Sequence, residues 1–174
     1  NGQTAITEKQ LLAYRQQFLD DYEADICVDS VVFNELEELL TVLERKGTPW
    51  GIVTNKPRYL AESLLDKIQL ATRCSVLVCP EDVSRTKPDP EPMYLALEKL
   101  GIARGGSACI LYIGDHIRDI EAGNAAGMPT ILAAYGYIPP EDQKSIKKWG
   151  ANYIVETPMQ LKQLLLGSGK FDYL

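Results

Sequence analysis

The stretch that decides the fold is Y-I-G-D-H-I-R-D-I-E-A-G, residues 112–123. An apolar run from Cys109 ends at Gly114, acidic residues follow at two positions four apart, and apolar residues then recur at helical spacing. This pattern predicts a strand, a tight turn and a helix. In an open α/β sheet, such turns lie at the carboxyl ends of strands, where ligands bind, and a helix amino end favours phosphate. We therefore expect Asp115 to face a ligand, most simply as a ligand of Mg²⁺ beside a phosphate.

The same pattern has a purely structural interpretation. A Gly-Asp pair is ordinary turn chemistry, and the first turn of any helix favours Asp. Residues 112–123 alone leave both interpretations open, and the rest of the chain has to decide between them.

Apolar, strand-like runs alternate with helix-like segments along the chain. The predicted strands are residues 50–53, 75–79, 109–113, 130–133 and 153–155. The predicted helices include 8–23, a segment capped by Asn34, a segment starting at Pro57, a segment resuming at Met93, 117–127, 141–149 and a closing helix capped by Thr157. Residues 26–33 are expected to form a connector or a short strand. The alternation predicts an α/β fold with a doubly wound parallel sheet.

Composition narrows the class of protein and its partners. The chain has 174 residues, 45% of them hydrophobic and 24% charged, which is typical of one soluble domain with a small appendage. The net charge of −6 argues against nucleic acid or an anionic membrane as a partner. The sequence has neither a membrane-spanning apolar run nor a signal-like start, and its four cysteines lack C-x-x-C spacing. We expect a cytoplasmic protein with reduced thiols.

Polar residues follow three of the predicted strands. Thr54 and Asn55 follow the first, Lys87 lies just beyond the second, and Asp115 and Asp119 follow the third. A hydroxyl, backbone N–H groups and an ammonium can hold phosphate oxygens, while a carboxylate can hold the metal that neutralises them. Such a set would suffice to bind a phosphate monoester.

Three motifs carry a resemblance to a known family. They are V-T-N-K-P at 53–57, T-K-P-D-P-E-P at 86–92, and Y-I-G-D-H-I-R-D-I-E-A-G-N-A-A-G-M-P-T at 112–130. They resemble the second, third and fourth motifs of the haloacid dehalogenase superfamily, on its phosphatase side, and are most similar to the phosphoglycolate phosphatase group. Residues 135–139 and 149–151 are also similar to that group, so the resemblance extends from about residue 15 to residue 166.

The resemblance implies a role for each polar residue at the strand ends. Thr54 would bind the phosphoryl group through its hydroxyl, with the Asn55 backbone N–H assisting. Lys87 would pair with the phosphoryl group and with a nucleophilic carboxylate. Asp115 would ligate Mg²⁺, and Asp119 would hold the waters of the metal or join its shell. The dehalogenases proper need no metal and lack this Gly-Asp pairing, so the resemblance favours a phosphatase.

One motif of the family has no counterpart. The superfamily attacks phosphorus with the first Asp of a D-x-D-G-T motif on its central strand and forms an aspartyl-phosphate, yet no D-x-D occurs in these 174 residues. Asp29 ends an apolar run but lacks the rest of the motif. The resemblance thus implies that the nucleophile lies upstream, that these residues alone are inactive, and that they are part of a longer phosphatase.

The resemblance also implies how the chain is divided. Residues 1–31 would be the rear part of a helical cap and a connector, and residues 32–174 a core domain lacking its first, central strand. The strands flanking the gap would then have unpaired backbone groups, which is costly.

Several functions stay open at the level of the sequence. The resemblance implies a small phosphorylated metabolite as the partner, with 2-phosphoglycolate first and N-acetylmuramic acid 6-phosphate as the alternative. An inactive phosphate-binding or regulatory protein would explain the missing D-x-D. A receiver domain would need an acidic pair on its first strand, which this chain lacks. His116, the only histidine, is expected to be an ordinary residue of the first helical turn.

Overall fold

The computed structural model describes residues 6–103, 110–167, 169 and 171, and helices and parallel strands alternate along them as predicted. The helices are α1 (Glu8–Ala24), α2 (Asn34–Arg45), α3 (Arg58–Lys67), α4 (Glu91–Lys99), α5 (Ile117–Ala125) and α6 (Pro158–Gly167). The strands are β1 (Gly51–Val53), β2 (Val76–Val78), β3 (Tyr112–Gly114), β4 (Thr130–Ala133) and β5 (Tyr153–Val155). The predicted α/β fold is confirmed, although Cys109, in the expected third strand, lies outside the described residues.

The strands form two parallel sheets. β1 pairs with β2, with Gly51 opposite Val76, while β3, β4 and β5 form the second sheet in that order. Parallel neighbours need helical crossovers of this kind, because each new strand has to start at the same end of the sheet as the one before it. The carboxyl ends of β1 and β3 therefore both point towards the polar residues that follow them.

A cavity of about 790 Å³ opens between β1 and β3, and we refer to it as the slot. Its lining includes Ile52 and Val53 from β1, Met93 and Leu97 from α4, and Ile110, Tyr112 and Ile113 at β3. The slot separates the strand before Thr54 from the strand before Asp115. Within the described residues, β1 pairs only with β2 and β3 pairs only with β4.

The core is built around the three-stranded sheet. Ile131 and Leu132 of β4 are fully buried, and Ile131 packs in a cluster with residues of α2 and α6. On another side, Ile120 of α5 packs against Leu132 and Trp149. These contacts fix the orientation of β3 and α5, which hold the two acidic residues of the opening motif.

Helix α1 lies apart from this core. Thr7 and Gln10 form the predicted capping box, but none of the 17 residues of the helix is buried. Leu11 and Phe18 are exposed apolar residues. Tyr22 contacts Lys56 through its hydroxyl and its ring, which connects α1 to the loop after β1. In the described part of the chain, no helix is both long and apolar enough to cross a membrane.

Two local predictions were wrong, and the choice left open at residues 26–33 is now decided. Asn34 is the first residue of α2 rather than its cap, because Phe33 takes the cap position and packs edge-on against Tyr135. Residues 141–149 contain only the short 3₁₀ helix Ile146–Lys148. A single turn suffices to bring Ile146 and Trp149 into the core, and the polar residues before it have no apolar face to bury. Residues 26–33 are a connector without a strand.

Candidate functional site

A polar cavity of about 390 Å³ lies at the carboxyl ends of β1 and β3. It is lined by Thr54, Asn55, Lys56, Lys87, Asp115, His116, Arg118, Asp119 and Tyr137. The five residues that the sequence singled out as site residues are all among them. Loops that are distant in sequence meet here because parallel strands bring their carboxyl ends to one edge of the fold.

Lys87 connects three parts of this cavity. Its Nζ donates hydrogen bonds to the Val53 carbonyl oxygen at 2.7 Å, to the Tyr112 hydroxyl at 3.1 Å and to Asp119 Oδ1 at 2.7 Å. The side chains of Lys87 and Asp119 are only 11% and 10% exposed. A buried ammonium needs such partners, because burial without them would carry a large desolvation cost.

Asp119 is held by the start of its own helix. Its Oδ2 accepts a hydrogen bond from the His116 backbone N–H at 3.1 Å, while Oδ1 accepts from Lys87. Gly114 leaves the space for this carboxylate, since a Cβ there would collide with the Cβ of Asp119 and lie 2.7 Å from its Oδ2. Position 114 thus requires glycine, because any side chain there would overlap Asp119.

Asp115 has one oxygen engaged and one available. Its Oδ2 accepts the backbone N–H of Tyr137 at 2.8 Å, and no hydrogen bond to Oδ1 occurs within the described residues. Gly136 permits this approach, because a Cβ there would collide with the Asp115 side chain. Asp115 is therefore oriented by the loop after β4 while it keeps one oxygen for a ligand.

The carboxylates of Asp115 and Asp119 have the donor chemistry of a magnesium site. The described residues contain no group of three or more His, Cys, Asp or Glu side chains arranged to hold a metal. Mg²⁺ nevertheless fits this cavity, since it is commonly bound by one or two carboxylates and keeps several waters. Asp115 Oδ1 is the oxygen best placed to be a direct ligand, because both oxygens of Asp119 already accept hydrogen bonds.

Thr54 and Asn55 shape the other side of the cavity. Thr54 Oγ1 accepts the backbone N–H of Lys56 at 3.1 Å, which leaves its hydroxyl hydrogen able to donate to a ligand. The Asn55 side-chain amide donates to the Lys87 carbonyl oxygen at 3.1 Å. This bond joins the loop after β1 to the loop that carries Lys87.

Tyr112 contributes a neutral phenol to the Lys87 network. Burial, and then the charge of Asp119 and the hydrogen bond to it, raise the pKa of Tyr112 far above its ordinary value. Its hydroxyl donates towards Val53 O at 3.3 Å or Asp119 Oδ1 at 3.4 Å while it accepts from Lys87. Burial and the charge of Asp115 also raise the pKa of Tyr135.

Sequence reasoning missed several residues of this cavity. His116 is the N-cap of α5, and its Nδ1 accepts the backbone N–H of Arg118 at 3.1 Å, whereas it was expected to be an ordinary first-turn residue. Lys56, Arg118 and Tyr137 lie within the segments that carried the resemblance, which is the signal that could have identified them. Asp29, which ends an apolar run without the rest of the D-x-D-G-T motif, is exposed and does not line the cavity.

Comparison with known proteins identifies the family. The model of the haloacid dehalogenase-like hydrolases matches residues 3–133, which include all five predicted site residues. The chain belongs to the haloacid dehalogenase-like hydrolase family.

Named relatives and solved structures agree with this assignment. The chain is 46% identical over 151 residues to an N-acetylmuramic acid 6-phosphate phosphatase of Pseudomonas aeruginosa, covering 87% of this chain and 65% of that protein. It is 40% identical over 145 residues to a phosphoglycolate phosphatase of Xanthomonas campestris pv. campestris, covering 83% of this chain and 63% of that protein. The chain thus spans less than two thirds of the length of both relatives.

The fold is also found among solved structures. A crystal structure described as a predicted phosphoglycolate phosphatase from Haemophilus somnus 129pt superposes with a TM-score of 0.78 at 25% identity. The match covers 91% of this chain and 68% of that one. The parallel α/β architecture is therefore that of the family.

Proposed function

We propose that the protein containing this chain is a Mg²⁺-dependent phosphatase that hydrolyses a small phosphomonoester. The observation that carries the proposal is the buried Lys87, held by Asp119 at the edge of a cavity that also contains the Thr54 hydroxyl and Asp115. An ammonium and a hydroxyl suit phosphoryl oxygens, while carboxylates suit a hard cation.

Each residue has a distinct part in this proposal. Thr54 donates its hydroxyl to the phosphoryl group, and the Asn55 backbone N–H assists. Lys87 neutralises phosphoryl charge that develops during transfer, and Asp119 keeps its ammonium in place. Because Lys87 already has its partners, little reorganisation is needed when the substrate enters.

Asp115, with Asp119 beside it, would hold Mg²⁺. The ion would neutralise phosphoryl charge and help to orient the reacting oxygens. The bond from Tyr137 N–H to Asp115 Oδ2 fixes the carboxylate in the orientation needed for this role.

The nucleophile in this proposal is an Asp supplied from outside the 174 residues. Its carboxylate oxygen attacks phosphorus as the ester P–O bond breaks, and the leaving alkoxide takes a proton from the second Asp of the same D-x-D-G-T motif, which regains it from the water of the next step. Water then cleaves the aspartyl-phosphate, which releases inorganic phosphate and restores the carboxylate. A strand in the slot, parallel to β1 and β3, would bring its carboxyl end to the polar cavity, and this supports the assignment. The 174 residues alone would then be inactive.

The substrate is proposed from the names of the relatives. Relatives at 46% and 41% identity are named for N-acetylmuramic acid 6-phosphate, and relatives at 40% and 36% for phosphoglycolate. We propose one of these two esters, with the reaction in the cytoplasm and no nucleic-acid or membrane partner. The thiols of Cys27, Cys74 and Cys79 are free, which fits a reducing compartment.

A substrate panel tests the proposal. The full-length product of the natural gene is assayed for phosphate release from both esters, from other sugar phosphates and from acyclic phosphorylated acids, with Mg²⁺ or with EDTA. Release that requires Mg²⁺ and favours one of the two named esters supports the proposal. Binding of phosphate and Mg²⁺ without turnover would instead identify a phosphate-binding protein.

A further inference from the structure

The polar cavity carries more positive charge than Lys87 alone provides. Among the described residues, three cationic side chains line it, those of Lys56, Lys87 and Arg118. Lys87 is neutralised by Asp119. The ammonium of Lys56 lies 4.1 Å from the centre of the Tyr22 ring and contacts no carboxylate in the described residues. Arg118 is exposed, and it makes no ion pair with any of the residues that the structure describes.

The positions of Lys56 and Arg118 are unfavourable for folding. Arg118 is the second residue of α5, and Lys56 lies just before the start of α3. The amino end of a helix carries partial positive charge, so cations there are disfavoured. Arg58, at the start of α3, has the same problem but is neutralised by Glu62 and Asp82. Arg118 has no such compensation within the described residues, so helix stability does not explain its position.

An anionic ligand would supply the missing compensation. The guanidinium of arginine presents a planar set of donors that matches a carboxylate, and it stays charged at any physiological pH. The phosphoryl group is already provided for by Thr54 and Lys87 in the proposed reaction. The remaining positive charge at the cavity, from Arg118 with Lys56 near it, is thus available for a second anionic group.

We propose that Arg118 binds a carboxylate of the substrate while its phosphoryl group is held by Thr54 and Lys87. The inference rests on the proposed phosphatase function and adds a specificity residue to it. The chemistry fits the relatives, because phosphoglycolate and N-acetylmuramic acid 6-phosphate are both phosphomonoesters that carry a carboxylate. The protein then selects phosphorylated acids over phosphorylated alcohols.

The test compares substrates that differ in one charge. KM and kcat are measured on the full-length protein with 2-phosphoglycolate and with its carboxamide, which has nearly the same size and no carboxylate. The same is done with N-acetylmuramic acid 6-phosphate against N-acetylglucosamine 6-phosphate, which lacks the lactyl carboxylate. The variants are then compared with whichever of these two pairs contains the acid that the wild type hydrolyses faster.

Three proteins are compared with that pair. They are the wild type, Arg118→Gln, and the control Arg45→Gln, which removes an exposed arginine at the end of α2 that lies outside the cavity. We expect Arg118→Gln to raise KM about 5- to 10-fold for the acid, with kcat and the neutral ester little changed. Arg45→Gln should change neither ester. Equal effects of Arg118→Gln on the acid and the neutral ester, or no effect on either, would overturn the proposal.

Binding without turnover separates this inference from the proposed function. Each ester is titrated calorimetrically into the same proteins in EDTA, where no hydrolysis is expected. Tighter binding of the acid by the wild type, lost in Arg118→Gln, supports the carboxylate site even in a protein that hydrolyses neither ester. Equal binding of acid and neutral ester by the wild type refutes it. The melting temperature of Arg118→Gln should match or exceed that of the wild type, since an unfavourable helix charge is removed.

Discussion

The polar cavity and the slot lie at the same two strands, yet they are held together in different ways. At the cavity, Lys87 links the end of β1 to α5 through two hydrogen bonds of 2.7 Å, and Tyr137 fixes Asp115. In the slot, the apolar side chains of Ile52 and Ile113 border about 790 Å³ of open space. Directional bonds fix the cavity, whereas apolar packing is incomplete in the slot.

The difference shows which groups are positioned by contacts within this chain and which are not. The groups that would bind phosphoryl oxygens and metal are positioned by loops and by the start of a helix, and each has partners within this chain. At the slot, the facing edges of β1 and β3 have no strand partner within the described residues, and a strand between them would pair both edges. In the proposed phosphatase, phosphoryl binding and nucleophilic attack would therefore depend on separate segments.

The largest expected effect comes from breaking the cavity at Asp115. In the full-length protein, Asp115→Asn should lower Mg²⁺-dependent hydrolysis by about 10³-fold, because a neutral amide is a poor ligand for Mg²⁺. The fold should persist, since an amide oxygen can still accept the Tyr137 N–H. Phosphate release and circular dichroism check both statements, and undiminished turnover would refute the metal assignment.

The second prediction breaks the link between β1 and α5. Lys87→Met should lower activity about 10²-fold or more and lower the free energy of unfolding by about 3 kcal/mol, because the buried Asp119 loses its partner. The double variant with Asp119→Asn should regain most of the stability and none of the activity.

Urea unfolding of the wild type, Lys87→Met and the double variant checks the second prediction. A loss of stability that persists undiminished in the double variant would show that the ion pair is not its cause.

The third prediction concerns the space beside Asp119. Gly114→Ala should cost about 1 to 3 kcal/mol of folding stability and reduce activity, because the added methyl group must displace the Asp119 side chain. Gly167→Ala is the matched control, since a Cβ at the end of α6 meets nothing within 4 Å. Thermal unfolding of both variants measures the difference, and equal stability would contradict the close approach at Gly114.

The last prediction concerns stability alone and compares packing in the sheet with packing at the slot. Ile131→Ala, at a fully buried position of β4, should cost about 3 to 4 kcal/mol, while Ile52→Ala, facing the slot, should cost about 1 kcal/mol. The reason is that Ile131 loses contacts on every side and Ile52 on fewer. Urea unfolding of the 174-residue chain measures both. Similar costs would mean that the slot is filled.

The sequence predicted much of the fold because its signals are local. The capping box at Thr7, the strand at 130–133 and the closing helix capped by Thr157 are each encoded in fewer than a dozen neighbouring residues, and the structure has all three. The wrong predictions also arise because sequence signals are local. The cap at Asn34 was displaced by the packing of Phe33 on Tyr135, about one hundred positions away, which no local pattern reports.

By itself, the sequence determined the order of strands and helices and the residue types after each strand, because turn chemistry and apolar periodicity act over a few residues. Only the tertiary structure decided that Thr54, Lys87, Asp115 and Asp119 line one cavity with Lys56 and Arg118 beside them. The carboxyl ends of the parallel strands come together only when the connecting helices have packed against the sheets. The pairing of Lys87 with Asp119, 32 positions apart, is likewise fixed by distance and burial rather than by any pattern in the chain.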